Sequence, residues 1–278
     1  MPILISPLNV VDCSGGIWDH FIDRARRTPF LLLGEMHGAI ENPRILITLL
    51  SRLHAQIGLR FLGVEWEAEY QEAIDRYTLL GQTDPESVIP CTEDGRVSLE
   101  HHQLLDWLAD FNRPLEREAQ IQVICFAGVP GEGSHSWNAR DRGMYEQFMK
   151  EYRIRSQSHH SPALLTAGNL HTRTAPFVSR TPLFAMQEDR EEEYVPFGAY
   201  FARDTSVPQK PLRLNLKYAS GAIHNMHVKE IGAELGNPER LPLFNGRFAD
   251  AECLLVKAEA EGDFDFVIRQ AHPVTMDT

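Results

Sequence analysis

Short apolar segments of strand length alternate with helix-spaced apolar residues through the first two thirds of the chain. Phe30–Gly34 is almost entirely apolar, and apolar residues from Ile45 to Leu53 then recur at helical intervals until Gly58. A second apolar run, Arg60–Glu65, follows directly. Continuous apolar strands are typical of parallel sheets covered on both faces. This order therefore predicts a βαβ unit.

Further strands are predicted downstream. Gln120–Ala127 and Pro162–Gly168 are again apolar and follow stretches with a helical pattern, whereas Leu212–Tyr218 alternates apolar and polar residues, as an antiparallel or edge strand would. Cys253–Ala258 and Phe264–Arg269 are predicted to pair as a terminal hairpin. We therefore predict an α/β fold with a central, mostly parallel sheet, mixed at its edge and flanked by helices.

The predicted organisation is a single α/β domain over residues 1–278, with a core at about 28–220 and C-terminal strands at 250–270 completing the sheet. The segment 1–16 is interrupted by prolines and glycines and is predicted to be irregular. Asn42 is predicted to cap the first helix of the βαβ unit, with Pro43 at the first helical position.

Composition excludes some classes of function. The formal net charge of −12 is unlike that of a nucleic-acid-binding protein, which presents a basic surface. The four cysteines, Cys13, Cys91, Cys125 and Cys253, form no Cys-x-x-Cys pair, which fits a reducing compartment. Neither a signal peptide nor an apolar run of about 18 residues is recognisable. We expect a cytoplasmic protein without nucleic-acid or membrane partners, with secretion by a route that needs no signal peptide as the open alternative; the oligomeric state is not predicted.

Acidic residues and histidines follow the predicted strands at their carboxyl ends. Glu35 and His37 follow the first strand, Glu65 ends the second, and His171 follows the strand that ends at Gly168. Ligands bind beyond the carboxyl ends of strands in open α/β sheets, so these side chains are expected to share one site. Two crowded carboxylates would raise the pKa of at least one of them. The individual alternatives are a helix-capping Glu35, a salt-bridged Glu65 and structural histidines.

Other charged residues are weaker candidates. Arg44 and Arg140 could each bind a substrate carboxylate or an oxyanion, or form surface ion pairs. His224 and His227 have the spacing of metal ligands only if they lie on a helix. The remaining candidates are the pairs His101-His102 and His159-His160, which are predicted to face solvent, and His135, which could reach the pocket.

The two segments Gly34-Glu35-Met36-His37 and Gly168-Asn169-Leu170-His171 are Gly-x-x-His motifs. With a glutamate ending the intervening strand, they resemble the signature of the TIKI superfamily. This superfamily includes haem-binding ChaN-like proteins, TraB-type proteins, erythromycin esterases and the small-GTPase-cleaving effector domain of large bacterial toxins. Arg140-Asp141-Arg142-Gly143-Met144 also resembles an Arg-Asp-x-x-Met segment of ChaN-like members.

The resemblance implies an EreA/ChaN-like fold and assigns Glu35, His37, Glu65 and His171 as catalytic residues. Erythromycin esterases have an extra residue between the glutamate and histidine of the first motif, and a histidine where this chain has Gly168. The chain is therefore more similar to the ChaN and toxin-effector branch, and a macrolide substrate is not expected.

The predicted activity is hydrolysis of an amide or ester in a small-molecule or peptide substrate. Glu35 or Glu65 would be the general base, and the histidines would orient water, share protons or stabilise the oxyanion. Two versions remain open: a metal-free cluster, which we favour, and a divalent cation bound by His37, His171 and Glu65. The alternative from another class is a haem- or small-ligand-binding ChaN-like protein without turnover.

Overall fold

The computed structural model describes residues 10–12, 16–82, 89–128, 137–156, 161–178, 193–207, 209–218, 222–230, 253–257 and 266–270. His135 and the pair His159-His160 lie outside these residues, as do most of the acidic stretch Gln187–Tyr194 and part of the Gln82–Val97 loop.

Strands and helices alternate along the described chain. The strands are β1 Val10–Asp12, β2 Phe30–Glu35, β3 Phe61–Glu67, β4 Gln122–Ala127, β5 Ala163–Gly168, β6 Leu212–Tyr218, β7 Ala222–Asn225, β8 His227–Glu230, β9 Cys253–Lys257 and β10 Phe266–Gln270. The helices are α1 Ile17–Ala25, α2 Glu41–Ile57, α3 Gln71–Leu80, α4 Leu99–Asn112, α5 Trp137–Arg155 and α6 Phe197–Arg203. A short 3-10 helix, Ala68–Tyr70, precedes α3.

Among the described residues, eight strands form one sheet in the order β1-β9-β10-β6-β2-β5-β3-β4, and β7 pairs with β8 separately. The five strands β6, β2, β5, β3 and β4 are parallel throughout. The antiparallel pair β9 and β10 makes the sheet mixed near the edge formed by β1. The predicted α/β fold, with a parallel centre, a mixed edge and flanking helices, is confirmed.

Alternate residues of β2 belong to two separate apolar clusters. Leu31 and Leu33 pack with residues of α1, α2 and α4, whereas Phe30 and Leu32 pack with residues of α5 and α6. Successive side chains of a strand point to opposite faces, so helices cover both faces of the sheet. This is why β2 is apolar at consecutive positions rather than at every second one.

Two predicted features near the ends of the sheet differ from the structure. β6 is not an antiparallel or edge strand: it is parallel and lies between β2 and β10. Its alternation arises because Leu212, Leu214 and Leu216 are buried in the core, while Arg213 on the other face donates to the Thr174 hydroxyl. The arm predicted as irregular contains β1, which pairs with β9. The predicted terminal hairpin is present as β9 and β10.

The start of α2 also differs from the prediction. The helix begins at Glu41 after Ile40, so Asn42 is not its cap and Pro43 is not its first residue. Asn42 instead donates from its side-chain amide to the Met36 carbonyl, 2.8 Å away, which fastens the helix to the segment between Glu35 and His37. The end of α2 is as predicted, since Gly58 adopts the left-handed conformation that stops a helix.

Within the described residues, the helices are too short or too polar to cross a membrane.

Candidate functional site

β5 brings the ends of β2 and β3 together because it lies between them in the sheet. In the register of β2 with β5, Glu35 is opposite Gly168. The backbone N–H of Gly168 donates to Oε2 of Glu65 over 2.9 Å, and the N–H of Asn169 donates to the Glu35 carbonyl over 2.8 Å. The turn after β5 therefore holds the glutamate-bearing ends of both neighbouring strands.

His37 lies between the two glutamates. Its Nδ1 is 3.2 Å from Oε1 of Glu35, and its Nε2 is 3.6 Å from Oε2 of Glu65. The second oxygen of Glu35 accepts a hydrogen bond from the Thr166 hydroxyl of β5 at 2.9 Å. Both carboxylates are buried, and the His37 side chain is only 15% exposed. One imidazole thus connects two buried carboxylates from different strands.

His171 lies on the other side of Glu65. Its Nε2 is 3.8 Å from Oε1 of Glu65, while its Nδ1 is 2.8 and 2.9 Å from the two oxygens of Asp141. The indole of Trp137 stacks on the imidazole with ring centroids 5.8 Å apart. The structure therefore brings Glu35, His37, Glu65 and His171 together at one edge of the sheet.

Asp141 is completely buried and is the centre of a hydrogen-bond network. Besides contacting His171, it accepts bonds from the Tyr194 hydroxyl at 2.7 Å and from the Phe197 N–H at 2.6 Å. Burial, together with the charge of Asp141, raises the pKa of Tyr194, so the phenol keeps its proton and donates. The network fixes Nδ1 of His171 towards Asp141 and leaves Nε2 facing Glu65.

Two arginines face the Glu65 carboxylate. Nη2 of Arg140 donates to Oε1 over 2.7 Å, and Nη1 of Arg96 lies 3.8 Å from the same oxygen. Arg96 is held in turn by Asp94, whose carboxylate is 2.6 Å from Nε. Arg140 was a candidate for binding substrate, but its described ion pair is with Glu65. Arg44 lies in the first turns of α2, and the contacts described for the four site residues do not include it.

Burial and the surrounding charges shift the pKa values of Glu65 and His37. Burial alone would raise the pKa of Glu65, but the neighbouring His171, His37, Arg140 and Arg96 outweigh it and lower the pKa to about 2. The expected raised pKa is thus not found at Glu65, because the cations around it outweigh burial.

His37 shows the opposite balance. Burial alone would lower its pKa, but the hydrogen bond to Glu35 and the charges of Glu65 and Glu35 raise it above the ordinary value of 6.5. The protonated form of His37 is therefore stabilised by its two acidic neighbours. An anionic Glu65 and a His37 that retains its proton readily are the electrostatic features of this site.

The donor set His37, His171 and Glu65 does not fit a divalent cation. Oε1 of Glu65 is bound by the Arg140 guanidinium and Oε2 by the Gly168 N–H, and Arg96 adds a second positive charge beside the carboxylate. A metal ion there would compete with these fixed donors and be repelled by the arginines. Among the residues described, no group of three or more histidine, cysteine, aspartate or glutamate side chains has a metal-binding arrangement.

A small cleft opens beside this cluster. Its lining comprises Glu35, His37, Leu46, Val64, Glu65, Trp66, Arg96, His101 and Thr166. The prediction that the pair His101-His102 faces solvent is wrong: both side chains are buried, at 3% and 6% exposure. The N-terminal end of α4 packs against the end of β3, since the Trp66 ring contacts the His101 ring edge-to-face.

Gly168 has a steric role between the two histidines. A Cβ atom added at this residue would lie 3.1 Å from Nε2 of His37 and 3.3 Å from Cδ2 of His171. These are tighter than ordinary carbon contacts, so glycine lets both imidazoles approach the end of β5. The glycine of the second Gly-x-x-His segment is therefore a packing requirement of the site.

The His224 and His227 pair is not on a helix. His224 lies in β7 and His227 in β8, with the left-handed residue Met226 between them, so the helical metal-ligand spacing is absent. The N–H of His224 donates to the Gly38 carbonyl at 3.1 Å, immediately after the Glu35 to His37 segment. The hairpin therefore contacts the loop that carries His37 through its backbone.

Three residues of the network were not identified as site residues from the sequence: Asp141, Arg96 and Tyr194. Asp141 was visible only as part of the Arg-Asp-x-x-Met resemblance, next to Arg140. Arg96 lies in a loop with a charged composition, and its position follows from the tight turn over 92–97, in which Gly95 N–H donates to the Thr92 carbonyl. No local pattern marks Tyr194, because its partners lie 23 and 53 residues away.

Comparison with known proteins gives a fold but no family. No protein-family model and no curated protein matches the chain. Among solved structures, a succinoglycan biosynthesis protein is similar with a TM-score of 0.68 at 10% identity, covering 98% of this chain and 95% of that one. A Bacillus cereus protein has a TM-score of 0.64 at 11% identity, with coverage of 98% and 95%.

A mutant of the erythromycin esterase EreC in its open conformation has a TM-score of 0.58 at 10% identity and covers 93% of each chain. These likenesses extend over nearly the whole chain, at about a tenth of identical residues. The protein therefore shares the α/β fold of an erythromycin esterase.

Proposed function

We propose that the protein is a hydrolase that cleaves an amide or ester bond with the cluster of Glu35, His37, Glu65 and His171. The observation that carries the proposal is the position of His37 between two buried carboxylates, 3.2 Å from Glu35 and 3.6 Å from Glu65, beside a small cleft. A network of acids and imidazoles at the ends of parallel strands is suited to moving protons. The fold shared with an erythromycin esterase is compatible with this chemistry.

Glu35 is assigned as the general base. The lowered pKa of Glu65, about 2, makes that carboxylate a poor proton acceptor, and its oxygens already accept from Arg140 and Gly168. Glu35 lines the cleft and is positioned by His37 and Thr166. In the proposed reaction Glu35 takes a proton from water, and the water oxygen attacks the substrate carbonyl carbon.

His37 is assigned as the general acid. Its raised pKa keeps the imidazole protonated to higher pH than usual, so that a proton is available for the departing amine or alcohol as the carbonyl–heteroatom bond breaks. Glu65 stays ionised and stabilises the positive charge on His37. His171, held by Asp141, borders Glu65 from the other side, with its Nε2 3.8 Å from Oε1 of Glu65.

The substrate is proposed to be a small molecule or peptide. Haem binding, the alternative, is not favoured by the described residues. The imidazoles of His37 and His171 are almost buried. Nδ1 of His37 faces Glu35, Nδ1 of His171 faces Asp141, and Nε2 of both rings faces Glu65, so neither ring presents a free axial ligand. Titration with haem that produced a Soret band, lost in His37→Ala or His171→Ala, would support the alternative instead.

The proposal is tested with a panel of chromogenic esters and anilides and the variant Glu35→Gln. Loss of the general base is expected to lower kcat by roughly 10²- to 10⁴-fold while the melting temperature stays near that of the wild type. Glu72→Gln, a change at an exposed glutamate of α3, serves as the matched control. A wild type inactive on the whole panel, or a fully active Glu35→Gln protein, would contradict the assignment.

A further inference from the structure

His101 lines the cleft together with His37 and is contributed by the first turn of α4. Its side chain is 3% exposed and lines the same cleft as Glu35 and His37. The His101 ring contacts the Trp66 ring edge-to-face, with the ring centroids 5.6 Å apart and an angle of 85° between the ring planes. The Trp66 indole N–H also donates to the Arg96 carbonyl at 2.9 Å, so one side chain of β3 fixes both Arg96 and His101.

The hydrogen bonds of His101 define which ring nitrogen carries the proton. The backbone N–H of Ser98 donates to Nδ1 at 3.1 Å, and a backbone N–H can only donate. Nδ1 is therefore unprotonated, and the proton of the neutral ring is on Nε2. This contact is one half of a capping box, in which the Ser98 hydroxyl also accepts from the His101 N–H.

His101 is also held in its neutral form. Burial lowers its pKa to about 4; the charge of Glu35 opposes this effect, and the charges of His37 and His102 add to it. His101, His37 and Glu35 line the same cleft. Around neutral pH the ring is an uncharged donor whose orientation is set by the start of a helix.

The other polar groups of the cleft are committed to each other. The ring nitrogens of His37 face Glu35 and Glu65, and the Arg96 guanidinium lies 3.8 Å from Glu65 and 3.9 Å from Glu67. The cleft is rich in carboxylate acceptors, which would repel negative charge on a substrate oxygen. A neutral, preorganised N–H donor is what this reaction lacks.

We infer that Nε2–H of His101 donates to the substrate carbonyl oxygen and stabilises the oxyanion formed when water attacks. This inference rests on the proposed hydrolase function. A neutral imidazole is suited to the role, because it donates a hydrogen bond without forming a salt bridge with the neighbouring carboxylates. Its geometry is preset by Ser98 and Trp66, so no reorganisation is needed during the reaction.

The inference is tested first without turnover. In the full chain labelled with ¹⁵N-histidine, NMR is expected to show His101 protonated on Nε2 and not on Nδ1, with the signal assigned by its loss in His101→Gln. Titration with N-methylacetamide, a neutral carbonyl probe, is expected to shift the Nε2–H resonance downfield. A proton on Nδ1, or an Nε2–H resonance that does not respond, overturns the inference whether or not the protein hydrolyses any substrate.

The kinetic test uses two variants that keep the capping-box acceptor. Glutamine and glutamate both fit the third helical position of such a box, but only the glutamine amide can donate into the cleft. With p-nitrophenyl acetate, His101→Glu is expected to lower kcat by roughly 10²-fold or more and His101→Gln by much less, with KM changing little in both.

His102→Gln is the control, because His102 is equally buried but its Nε2 bonds to the Ile89 carbonyl, away from the cleft. Its kcat is expected to match the wild type. Equal losses in His101→Gln, His101→Glu and His102→Gln would overturn the inference in favour of a structural role for the start of α4. A wild type that does not hydrolyse the ester counts against the hydrolase proposal, and the NMR result then decides the inference alone.

Discussion

Both carboxylate oxygens of Asp141 lie within 2.9 Å of Nδ1 of His171, although the two residues are 30 positions apart in sequence. Asp141 is buried near the start of α5 and His171 follows β5, so the contact fastens a helix covering the sheet to the end of β5. The contact also fixes the tautomer of His171, because a carboxylate favours the proton on the nitrogen that faces it.

Asp141→Asn is expected to reduce hydrolysis between roughly 10²- and 10⁴-fold, because an amide can donate to Nδ1 and reverse the His171 tautomer. Steady-state kinetics measure the loss, and ¹⁵N-histidine NMR shows whether the proton has moved to Nε2. The fold is expected to survive, at a cost of about 1–3 kcal/mol, because asparagine retains only part of the bonding to Tyr194 and Phe197.

Tyr194→Phe separates the loss of stability from the change of the His171 tautomer. It removes a donor to Asp141 but leaves the contact between Asp141 and His171, so stability is expected to fall while the His171 tautomer is kept. An Asp141→Asn protein that retained full activity and an unchanged His171 spectrum would show that the network only supports the fold.

Glu65→Gln is expected to destabilise the protein by about 3–5 kcal/mol at neutral pH, because it leaves Arg140 and two histidines around a site that has lost its buried charge. The folded pKa of Glu65, about 2, is below the ordinary 4.5, so its ionisation stabilises the fold fully above pH 4.5. This contribution is lost as pH falls towards 2.

Urea unfolding of the wild type and of Glu65→Gln between pH 3 and pH 7 measures the difference. The difference in unfolding free energy between the wild type and Glu65→Gln is expected to be constant above pH 4.5 and to become smaller below it. Glu69→Gln, a change at an exposed glutamate two residues beyond β3, is measured alongside as the control variant. A gap for Glu65→Gln that widened on acidification would contradict the lowered pKa.

The sequence predicted the scaffold of the site better than its charge balance. Apolar runs ending in Glu35, Glu65 and Gly168 define parallel strands, and the carboxyl ends of parallel strands share an edge whatever the details of packing. The strand order was not readable, yet it is β5 between β2 and β3 that lets Gly168 bind Glu65. The prediction of a raised carboxylate pKa failed at Glu65 because it counted the acids and left out the positive charges of the two neighbouring histidines and two arginines.

Long-range contacts account for what the sequence missed. Arg96 and His101 enter the site only because a loop and the start of α4 fold over β3, where Trp66 holds them. The pair His101-His102 lies in a polar stretch, which is typical of a solvent-exposed segment. The two side chains are buried because the start of α4 packs against β3. β6 was predicted to be an antiparallel or edge strand because its residues alternate between apolar and polar. The prediction failed for a related reason: Asn215 is polar but buried beside Gly34.

His37 is expected to stabilise the fold more at low pH than at high pH. Its folded pKa is raised above 6.5, so its contribution is fully present below pH 6.5 and is lost as pH rises through the raised folded value. The difference in melting temperature between the wild type and His37→Gln is therefore expected to be largest near pH 6 and to shrink on the alkaline side.

The same titration is expected to limit activity. If His37 is the general acid, kcat falls as the imidazole loses its proton, and the alkaline limb of the pH–rate profile lies above pH 6.5. An NMR titration of the His37 ring gives the pKa independently. A ring that titrates below 6.5 would contradict both expectations, since the two neighbouring carboxylates would then fail to offset burial.

Gly168→Ala is expected to lower activity roughly 10²-fold with little loss of stability, because the added methyl would press on the His37 and His171 rings and displace them by a fraction of an ångström or more. The contrast is Gly63→Ala in β3, where the new Cβ would lie 3.0 Å from Leu165 and Phe148 side chains in the core. That change is expected to cost about 1–3 kcal/mol through overpacking while sparing the site chemistry.

Kinetics and thermal unfolding of the two alanine variants are measured side by side. The expected result is a crossed pattern, in which Gly168→Ala loses kcat and Gly63→Ala loses stability. Two variants that lost activity only in proportion to their unfolded fraction would show that Gly168 has no special relation to the imidazoles. The crossed pattern depends on the same geometry as the hydrolase proposal, two histidines meeting over the end of one strand, and it can be measured with any substrate the wild type accepts.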